Sequence, residues 1–370
     1  MKVVIAAGGT GGHIYPGIAI ANYIRDKDPN SHILFIGTSK GLEKELVPKE
    51  GYDIQLIRVK GFERKLSLDT LKTIRELFLG LGDAKKIIKD FKPDVVVGTG
   101  GYVCGPVLFS AWLAKVPTLI HEQNAFPGVT NRILSRLVDK VASSFPEAIK
   151  YFKHKDRVVV SGNPIRSEFK EKNREHARKK LSIPMNKKLI VVTGGSQGAQ
   201  SINKSMIHVI KELKDRPDIH IVHVTGKKQH EKVLDGLKTE NIDPSTLKNI
   251  EIVPYTFDMA TLYKASDLII ARAGAMTISE ITAVGRSCIL IPYPYATDNH
   301  QEFNARVIAD KEGGVLILDK DLNGQLLIDT IKDLMKDTKK LREMENITSK
   351  LGILNGDDII YNEIKTLALK

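Results

Sequence analysis

The sequence contains little cysteine and no long apolar run. Its 370 residues include two cysteines, Cys104 and Cys288, which are too few for a disulfide framework or a cysteine-rich metal site. No apolar run reaches the ~18 residues that a membrane-spanning helix needs. The first residues, MKVVIAAGGTGGH, lack the pattern of a signal or transit peptide. We therefore expect a protein of the cytosol that does not cross a membrane.

Aromatic residues are also scarce, at 6% of the chain, and no nucleic-acid recognition motif is present. Both absences argue against a nucleic-acid partner. Basic residues, by contrast, are in excess: the net charge is +12, of which +8 falls in residues 1–165. A basic first half predicts an anionic partner, which leaves an anionic membrane surface or a phosphate-bearing substrate.

Short runs of Val, Ile and Leu alternate with longer helical stretches along the whole chain. Such runs, separated by helices, are typical of parallel strands that are buried on both faces. Thirteen strands exceed one sheet of ordinary size, so we predict an α/β protein with two doubly wound, Rossmann-like domains. The predicted strands are 2–6, 32–37, 53–58, 94–98, 117–121, 138–142, 157–160, 188–193, 219–224, 249–253, 267–271, 287–291 and 314–318.

The turn-rich residues 161–164 mark the predicted domain boundary, and a polar helix is predicted to follow at 167–181. We assign residues 1–163 to a first domain and residues 164–345 to a second. The remaining residues, 346–370, end in a predicted helix, and we leave open whether they pack back on the first domain.

Three predicted strands end in glycine-rich turns, at residues 8–13, 98–102 and 194–198, each ahead of a helix. The helix after the first turn is predicted to open at Pro16. Glycine lets the backbone turn with positive φ and approach a ligand closely, and the N-terminus of the next helix attracts anions. A single turn of this kind could serve only strand–helix packing, but three at equivalent positions favour phosphate binding.

Two common phosphate ligands do not fit these turns. The first turn has Ile14 where the dinucleotide fingerprint needs its third glycine, and the strand 32–37 ends without an acidic residue for a ribose. No Gly-Lys-Ser/Thr sequence follows any of the turns, so a Walker A loop is absent. These observations disfavour kinases and nicotinamide-dependent enzymes.

Seven motifs in both halves of the chain together resemble the bacterial peptidoglycan N-acetylglucosaminyltransferases of the MurG type. The resemblance covers nearly the whole chain and implies a GT-B fold, in which two Rossmann-like domains face each other across the active site. It also implies the transfer of N-acetylglucosamine (GlcNAc) from UDP-GlcNAc to lipid I, the undecaprenyl diphosphate-linked N-acetylmuramyl-pentapeptide, which gives lipid II. The motifs are GGTGGHIYPG (8–17), GGYVCGP (100–106), HEQNAFPG (121–128), GNPIR (162–166), GGSQGAQSIN (194–203), RAGAMTISE (272–280) and DNHQEFNA (298–305).

The resemblance also implies where the protein works and what it meets. Domain 1–163 would face the acceptor and the membrane, domain 164–345 would bind UDP-GlcNAc, and the protein would lie peripherally on the cytoplasmic face of the cell membrane. Its expected partners are UDP-GlcNAc, lipid I, the anionic membrane surface and other proteins of cell-wall synthesis or cell division, and no cofactor is expected. Another GT-B glycosyltransferase, a UDP-GlcNAc epimerase and a non-enzymatic nucleotide-sugar binding protein remain alternatives.

In the second domain, we interpret Glu280 as the ligand of the donor ribose, because one carboxylate can accept hydrogen bonds from both ribose hydroxyls. We place Glu280 in the first turn of the helix after strand 267–271, where stabilising the helix dipole is the alternative role. Ser196 and the turn 195–198 are expected to hold the diphosphate. Arg166 would assist them, unless it is only a surface cation.

The family pattern adds Asn124 and Gln301 as ligands of the GlcNAc hydroxyls and Thr256 as a backbone contact to uracil. For Asn124, a turn role before Pro127 is the alternative. The predicted donor-binding residues are Thr10, Gly11, Gly12, Asn124, Arg166, Ser196, Thr256, Ala275, Met276, Thr277, Ile278, Ser279, Glu280 and Gln301.

His13 ends the first glycine turn and has a side chain suited to proton transfer near neutral pH. We interpret it as the general base that activates the 4-hydroxyl of N-acetylmuramic acid, with hydrogen bonding to a diphosphate as the alternative. The Asp-x-Asp sequence 26–28 lies at a solvated helix end, and we expect inverting transfer without a metal, in which Arg166 and helix N-termini stabilise the leaving diphosphate. The predicted ligands of the acceptor diphosphate are Thr10, Gly11, Gly12, Gly100, Gly101 and Tyr102.

The segment 64–81 has too many apolar residues for a helix that buries one face, and basic residues are interleaved with them. This mixture predicts a patch that sits among the headgroups of an anionic leaflet. The alternative is that another part of the protein covers the extra apolar residues. The predicted patch consists of Leu68, Leu71, Lys72, Arg75, Phe78, Leu79 and Trp112.

Overall fold

The structure is a computed structural model that describes residues 1–60, 68–171 and 173–370, with the backbone alone for residues 68–72 and 74. In these residues, thirteen parallel strands form two sheets. The seven-stranded sheet has the order β3-β2-β1-β4-β5-β6-β7 and the six-stranded sheet the order β10-β9-β8-β11-β12-β13. The strands are β1 (Lys2–Ala6), β2 (His32–Gly37), β3 (Asp53–Leu56), β4 (Val95–Gly98), β5 (Thr118–Glu122), β6 (Lys140–Ser143), β7 (Val158–Val160), β8 (Lys188–Thr193), β9 (Ile219–Val224), β10 (Ile250–Val253), β11 (Leu268–Ala271), β12 (Ser287–Leu290) and β13 (Gly314–Leu316).

Helices connect these strands and cover both faces of each sheet. None of the described helices is long and apolar enough to span a membrane. The α-helices are α1 (Gly11–Lys27), α2 (Glu43–Lys49), α3 (Leu68–Phe91), α4 (Cys104–Leu113), α5 (Val129–Leu134), α6 (Arg174–Lys180), α7 (Gln200–Leu213), α8 (His230–Thr239), α9 (Met259–Ala265), α10 (Ala275–Val284), α11 (His300–Ala309), α12 (Gly324–Lys336), α13 (Thr338–Leu351) and α14 (Gly356–Ala368).

The chain folds into two compact units. The first contains Met1–Ile165 together with Asn355–Lys370, and the second contains Arg166–Leu354. In the first unit, α1 and α14 pack on one face of the sheet through buried residues such as Ile24 and Ile364, while α3, α4 and α5 cover the other face. Each sheet therefore has the two helical layers of a doubly wound α/β fold.

The last helix of the chain belongs to the first unit although it follows the second in sequence. Tyr23 of α1 donates a hydrogen bond to Asp358 of α14, and the Lys140 ammonium lies 3.6 Å from the Glu363 carboxylate. Residues 346–354, by contrast, belong to the second unit, because 346–351 continue the amphipathic helix α13.

Two helices differ from the sequence prediction. Helix α1 begins at Gly11 rather than at Pro16, so Pro16 lies inside it. Because proline has no N–H, the carbonyl of Gly12, four residues earlier, has no helical donor, and Gly12 is exposed. The polar helix predicted at 167–181 is instead a short 3₁₀ turn, Ser167–Phe169, followed by α6. The Asn173 side chain accepts a hydrogen bond from the His176 N–H and caps the start of α6.

A buried cluster of charges lies at the amino-terminal edge of the second sheet. The Asp267 carboxylate accepts hydrogen bonds from Arg174, from Arg178 Nη2 at 2.5 Å and from the Leu189 N–H at 2.7 Å. Arg178 is 2% exposed and also donates to the carbonyls of Ala265, Pro184 and Lys187 at 2.8–2.9 Å. Because every ion in the cluster has partners, its burial is tolerated.

Candidate functional site

The first glycine turn follows β1, and the buried carboxylate of Glu43 holds it. Glu43 Oε2 accepts the Gly9 N–H at 3.1 Å, while Oε1 accepts the Thr38 N–H and hydroxyl at 2.8 and 2.9 Å. Thr10 then caps α1, and its exposed side chain makes no capping hydrogen bond. The free N–H groups of the first turn of α1 thus lie next to a hydroxyl that is available to a ligand.

The second glycine turn packs directly against the first and against His13. An added Cβ on Gly101, whose φ is +85°, would lie 2.3 Å from the Gly8 carbonyl oxygen. A Cβ on Gly100, whose φ is +110°, would lie 2.4 Å from His13 Nδ1. Any larger residue at either position would push the two turns apart. The structure thus brings together the two predicted acceptor loops, 10–12 and 100–102, with the predicted base.

His13 is half-buried in the first turn of α1, and its ring is held from one side. Its Nδ1 lies 3.2 Å from the Thr99 carbonyl oxygen and 3.4 Å from Gln123 Oε1. Cys104, beside the second turn, is fully buried, and burial raises the pKa of its thiol to about 12. Cys104 therefore carries no thiolate that could act as a nucleophile.

Asn124 lies at the end of β5, where the buried carboxylate of Glu122 orders the loop. Glu122 Oε1 accepts the Asn124 N–H and side-chain amide at 2.9 and 3.2 Å. Its other oxygen accepts the Gly128 N–H and the Asn131 amide at 3.1 and 2.9 Å. The Glu122 carboxylate therefore fixes the Asn124 side chain.

The third glycine turn borders a cavity of about 790 Å³ in the second unit. Its walls include the turn 194–198, Thr277 of α10 and the side chains of Tyr293, Tyr295 and Gln301. Gln301 Oε1 accepts the Tyr293 N–H at 3.0 Å, which leaves its amide N–H groups to donate. A cavity of this size, lined by a glycine turn, polar side chains and tyrosines, suits a phosphorylated sugar nucleotide.

Arg272 ties the loops around this cavity together. Its guanidinium donates to Asp319 at 2.5 Å, to Ser201 Oγ at 2.9 Å and to the carbonyls of Ile291 and Pro292 at 3.1 and 3.0 Å. These contacts join the start of α7 to the loops that follow β11, β12 and β13. Arg272 is thereby committed to positioning the cavity walls.

Glu280 lies in the second turn of α10 and not in the first, because the helix already begins at Ala275 after the cap Gly274. The dipole interaction that we considered as its alternative role is therefore weak, since it fades beyond the first turn. Burial raises the pKa of Glu280 to about 7, and Arg166, whose guanidinium is 3.8 Å away, lowers it only in part. Glu280 does not border the cavity itself, but Thr277, three residues before it, does.

The predicted donor residues 275–279 of α10 fall into two groups, those whose N–H groups are available to a ligand and those whose polar groups are bonded within the helix. Ala275, Met276 and Thr277 contribute the unpaired N–H groups of the first turn of α10. Ile278 has its side chain in the core and its N–H bonded to the Gly274 carbonyl, so neither group is available to a ligand. Ser279 Oγ donates to the Ala275 carbonyl at 3.0 Å.

Ser196 and Thr256 lie at the same edge of the second sheet. Ser196 is exposed in the third glycine turn. Thr256 Oγ1 accepts the Asp258 N–H at 3.1 Å and does not border the cavity. Two exposed aromatic residues flank Thr256, of which Phe257 is 85% exposed.

The predicted membrane patch lies partly outside the described side chains, which exclude those of Leu68, Leu71 and Lys72. Of the rest, Arg75 is exposed, Phe78 is 68% exposed, Trp112 is 43% exposed and Leu79 is half-buried. A cavity of about 440 Å³ between α3 and α4, lined by Leu81, Phe109 and the 61% exposed Leu113, continues this surface. We call the exposed residues Arg75, Phe78, Lys85, Trp112, Leu113 and Lys115 the α3–α4 patch.

Several residues that organise these sites were missed by sequence reasoning, although some stand inside the quoted motifs. Glu43 lies 34 residues from the glycine that it holds, and Asp319 lies 47 residues from Arg272. No local pattern reports such distant pairs. Among the residues that the structure describes, no group of three or more His, Cys, Asp or Glu side chains converges as a metal site.

The sequence matches two family models in succession. Residues 3–143 match the glycosyltransferase family 28 N-terminal domain, and residues 189–356 match the glycosyltransferase family 28 C-terminal domain. Two relatives carry the name UDP-N-acetylglucosamine--N-acetylmuramyl-(pentapeptide) pyrophosphoryl-undecaprenol N-acetylglucosamine transferase. The one from Acetivibrio thermocellus is 53% identical and covers 99% of this chain and 98% of its own. The one from Clostridioides difficile is 45% identical and covers 98% of this chain and 88% of its own.

Solved structures agree with these matches. The crystal structure of Acinetobacter baumannii MurG covers 99% of both chains with a TM-score of 0.82 and 29% identity. A UDP-GlcNAc 2-epimerase from Neisseria meningitidis covers 99% of this chain and 100% of its own with a TM-score of 0.66, but its 15% identity shows a shared fold alone. The predicted fold, two parallel-sheet α/β domains of the GT-B type, is confirmed. The chain belongs to glycosyltransferase family 28 and, within it, to the N-acetylglucosamine transferases that these relatives represent.

Proposed function

We propose that this glycosyltransferase transfers GlcNAc from UDP-GlcNAc to the 4-hydroxyl of the N-acetylmuramyl residue of lipid I, which forms lipid II for peptidoglycan synthesis. The observation that carries this proposal is the identity of about half of all residues, over nearly the full length, with relatives whose name states the donor, the acceptor and the transferred sugar. The glycine turns and the cavity of about 790 Å³ supply phosphate- and sugar-binding features that such a reaction needs.

The direct test is an assay with radiolabelled UDP-GlcNAc and a short-chain lipid I analogue. We expect label in the lipid product only when both substrates are present. UDP-GlcNAc alone should remain unchanged, whereas a 2-epimerase would convert it without an acceptor. Transfer to no lipid I analogue, together with epimerisation of the free donor, would contradict the proposal.

The proposed mechanism is a direct, inverting displacement without a metal ion. His13 accepts the proton of the attacking hydroxyl as its oxygen bonds to the anomeric carbon and the bond from that carbon to UDP breaks. The leaving diphosphate is stabilised by the turn 195–198 with Ser196, by the N–H groups that open α10, and by Arg166. Asn124 and Gln301 bind the sugar hydroxyls, and the loops 10–12 and 100–102 bind the diphosphate of lipid I.

Glu280 provides a test of the donor assignment through its pKa of about 7. An ionised carboxylate offers a charged acceptor oxygen to each ribose hydroxyl, whereas a protonated carboxyl keeps one neutral, weaker acceptor oxygen and turns the other into a hydroxyl donor. Because burial raises this pKa, the ionised form is complete only above pH 7 and is lost as the pH falls through 7. We therefore expect the affinity for UDP-GlcNAc, measured by isothermal titration calorimetry, to weaken between pH 8 and pH 6.

The variants Glu280→Ala and Glu280→Gln complete this test. Glu280→Ala should weaken binding by ~10–150-fold at pH 8, which corresponds to ~1.5–3 kcal/mol for a lost charged hydrogen bond. Glu280→Gln should bind with an affinity that no longer depends on pH in this range. Glu231→Ala, an exposed glutamate on α8, is the matched control and should bind like the wild type. Unchanged affinity in Glu280→Ala would contradict the ribose assignment.

We further propose that the protein binds the cytoplasmic face of the membrane peripherally through the α3–α4 patch. This patch combines exposed apolar side chains, Phe78, Trp112 and Leu113, with the basic side chains of Arg75, Lys85 and Lys115. Apolar residues insert at the headgroup level, while each basic residue near an anionic surface contributes ~1 kcal/mol. Because the acceptor is lipid-linked and lies in the membrane, an enzyme with such a surface can reach it.

Co-sedimentation with anionic liposomes tests this proposal. The wild type should bind, and its binding should weaken as salt increases. The double variant Phe78→Ser with Leu113→Ser should bind much less, while Met185→Ser with Leu326→Ser removes two exposed apolar residues of the second unit and should bind like the wild type. Equal binding by all three proteins, or binding that ignores salt, would place the membrane contact elsewhere.

A further inference from the structure

His13 contacts a buried hydrogen-bond chain that the proposed reaction does not itself require. The chain runs from His13 to Gln123 and on to His121, and it ends at Ser144 and the Gly162 carbonyl. Gln123 is 2% exposed and His121 is fully buried. Buried polar side chains are costly unless their hydrogen bonds are satisfied, so the direction of each bond in this chain is determined by its neighbours.

The orientation of the Gln123 amide follows from the atoms around it. Its Nε2 lies 2.8 Å from the Thr99 carbonyl oxygen, 3.1 Å from the His121 carbonyl oxygen and 3.0 Å from His121 Nδ1. An amide oxygen in that place would face two carbonyl oxygens, so the NH₂ group must occupy it. The Gln123 oxygen is therefore the atom that faces His13.

This orientation determines the tautomer of His13. Its Nδ1 has two neighbours, the Thr99 carbonyl oxygen and Gln123 Oε1, and both can only accept a hydrogen bond. Neutral His13 must therefore carry its proton on Nδ1, which leaves the lone pair on Nε2. No residue in the described part of the chain hydrogen-bonds to Nε2. The close approach of Gly100 to Nδ1 keeps the ring in this position.

His121 holds the Gln123 amide in the orientation just described, with the NH₂ group toward His121 and the oxygen toward His13. Its Nδ1 accepts from Gln123, so its proton lies on Nε2, which is 3.3 Å from the Gly162 carbonyl oxygen and 3.2 Å from Ser144 Oγ. Burial lowers the pKa of His121 to about 4, so this histidine is neutral near pH 7. It therefore presents a constant acceptor to the Gln123 amide.

We propose that Gln123, held by His121, is a positioning residue that together with the Thr99 carbonyl oxygen fixes His13 as the Nδ1–H tautomer and so leaves Nε2 as the atom that takes the proton from the acceptor hydroxyl. This inference rests on the proposed function. In the step, the hydroxyl oxygen bonds to the anomeric carbon, the bond to UDP breaks and the hydroxyl proton moves to Nε2. The resulting imidazolium then returns the proton to water. Gln123 itself touches no reacting atom.

The other titratable groups near His13 belong to four elements. They are Tyr15 on α1, Tyr102 in the second glycine turn, Glu43 on α2, and His121 and Glu122 on β5. None of these side chains hydrogen-bonds to His13 within the described residues. Of these groups, His121 is hydrogen-bonded to Gln123, so a changed pH dependence in a Gln123 variant reports on Gln123 and His121 together.

The first measurement is ¹⁵N NMR of the imidazole groups in the full-length protein without substrate, at a pH where His13 is neutral. The wild type should show the Nδ1–H tautomer for His13. Gln123→Met, which keeps the side-chain length but cannot hydrogen-bond, leaves the Thr99 carbonyl oxygen as the one acceptor of Nδ1–H among the described residues and should therefore raise the fraction of the Nε2–H tautomer above that of the wild type. In the transfer assay, Gln123→Met should lower kcat by ~10–100-fold, by analogy with the loss of partners that orient metal-bound imidazoles, and leave KM for UDP-GlcNAc nearly unchanged.

The second variant, Gln123→Glu, places one carboxylate oxygen beside His13 Nδ1–H and the other beside His121 Nδ1. For the second oxygen to be held, neutral His121 must move its proton to Nδ1 and accept from Ser144 Oγ at Nε2, which costs stability because that oxygen also faces the Thr99 and His121 carbonyls. In the folded variant the carboxylate should stabilise the His13 imidazolium. The acidic limb of the kcat/KM profile should then move to higher pH by ~1 unit. Gln55→Glu, at an exposed position on β3, adds the same charge to the same unit and should leave the limb in place. If Gln123→Met does not fold, the acidic limb of Gln123→Glu, once circular dichroism has shown that this variant is folded, still tests whether residue 123 acts on His13.

Two results would overturn the inference: an Nε2–H tautomer in the wild type, or an acidic limb that does not move in Gln123→Glu. The NMR measurement needs no substrate and separates this inference from the proposed function. An Nδ1–H tautomer in a protein that transfers no GlcNAc would contradict the function and leave the positioning of His13 intact. Efficient transfer by a protein with the other tautomer would contradict the positioning alone.

Discussion

Replacing His13 with alanine is expected to lower the turnover number by ~10²–10⁴-fold, because a positioned general base contributes about that much to a proton-transfer step. The affinity for UDP-GlcNAc should change by less than threefold, since the cavity beside the third glycine turn has its own set of residues. The measurement is steady-state kinetics with a saturating lipid I analogue, together with calorimetric titration of the donor.

Two further variants separate the base from the alternative role of a hydrogen-bond donor to a diphosphate. His13→Gln retains a donor but cannot accept a proton, so it should be about as slow as His13→Ala. His32→Ala, at the exposed start of β2 and thus at the opposite edge of the sheet, is the matched control and should be fully active. A fall of less than tenfold in His13→Ala, or near-normal turnover in His13→Gln, would show that His13 is not the base.

The sheets could be predicted from the sequence because their strands are buried on both faces. Runs such as residues 2–6 and 188–193 are almost wholly apolar, and the structure has strands at all thirteen predicted places. Their ends shift by one or two residues at most, since the hydrogen bonds of the flanking turns and not the apolar pattern decide them. Helix starts were less predictable, as Pro16 shows: proline usually opens a helix, but here five residues precede it.

The sites could be predicted only where a local motif carries the chemistry. The glycine turns can be recognised by their composition, and they come together at strand ends because parallel strands place their carboxyl ends at one edge of the sheet. The residues that hold these turns cannot be recognised in this way. Glu43 and Gln123 act through hydrogen bonds to residues 34 and 24 positions away, and only the folded sheet creates those contacts. The resemblance to a family could name the motif HEQNAFPG, but only the geometry assigns the amide of Gln123 its direction.

Asp267→Asn is expected to destabilise the second unit by ~3–5 kcal/mol, the usual cost of removing one partner from a buried ion pair. The substitution removes the negative charge that Arg174 and Arg178 share. It leaves Arg174 with the Glu345 carboxylate, 3.3 Å away, and leaves Arg178, whose side chain is 2% exposed, without a carboxylate partner among the described residues. This cluster lies at the amino-terminal edge of the sheet, while the donor cavity lies at the carboxyl edge. At low temperature the folded variant should therefore bind UDP-GlcNAc with nearly the wild-type affinity.

Urea unfolding of the full-length protein measures this effect, and the transition that UDP-GlcNAc shifts to higher urea identifies the second unit. The matched control is Asp218→Asn, which breaks an ion pair with Arg216 at 2.7 Å whose two side chains are about half exposed. An exposed pair of this kind contributes ~0–1 kcal/mol, so the control should unfold close to the wild type. Equal midpoints for Asp267→Asn and Asp218→Asn would mean that water reaches the cluster and compensates its charges. A loss of donor affinity in folded Asp267→Asn would instead show that the two edges of the sheet are coupled.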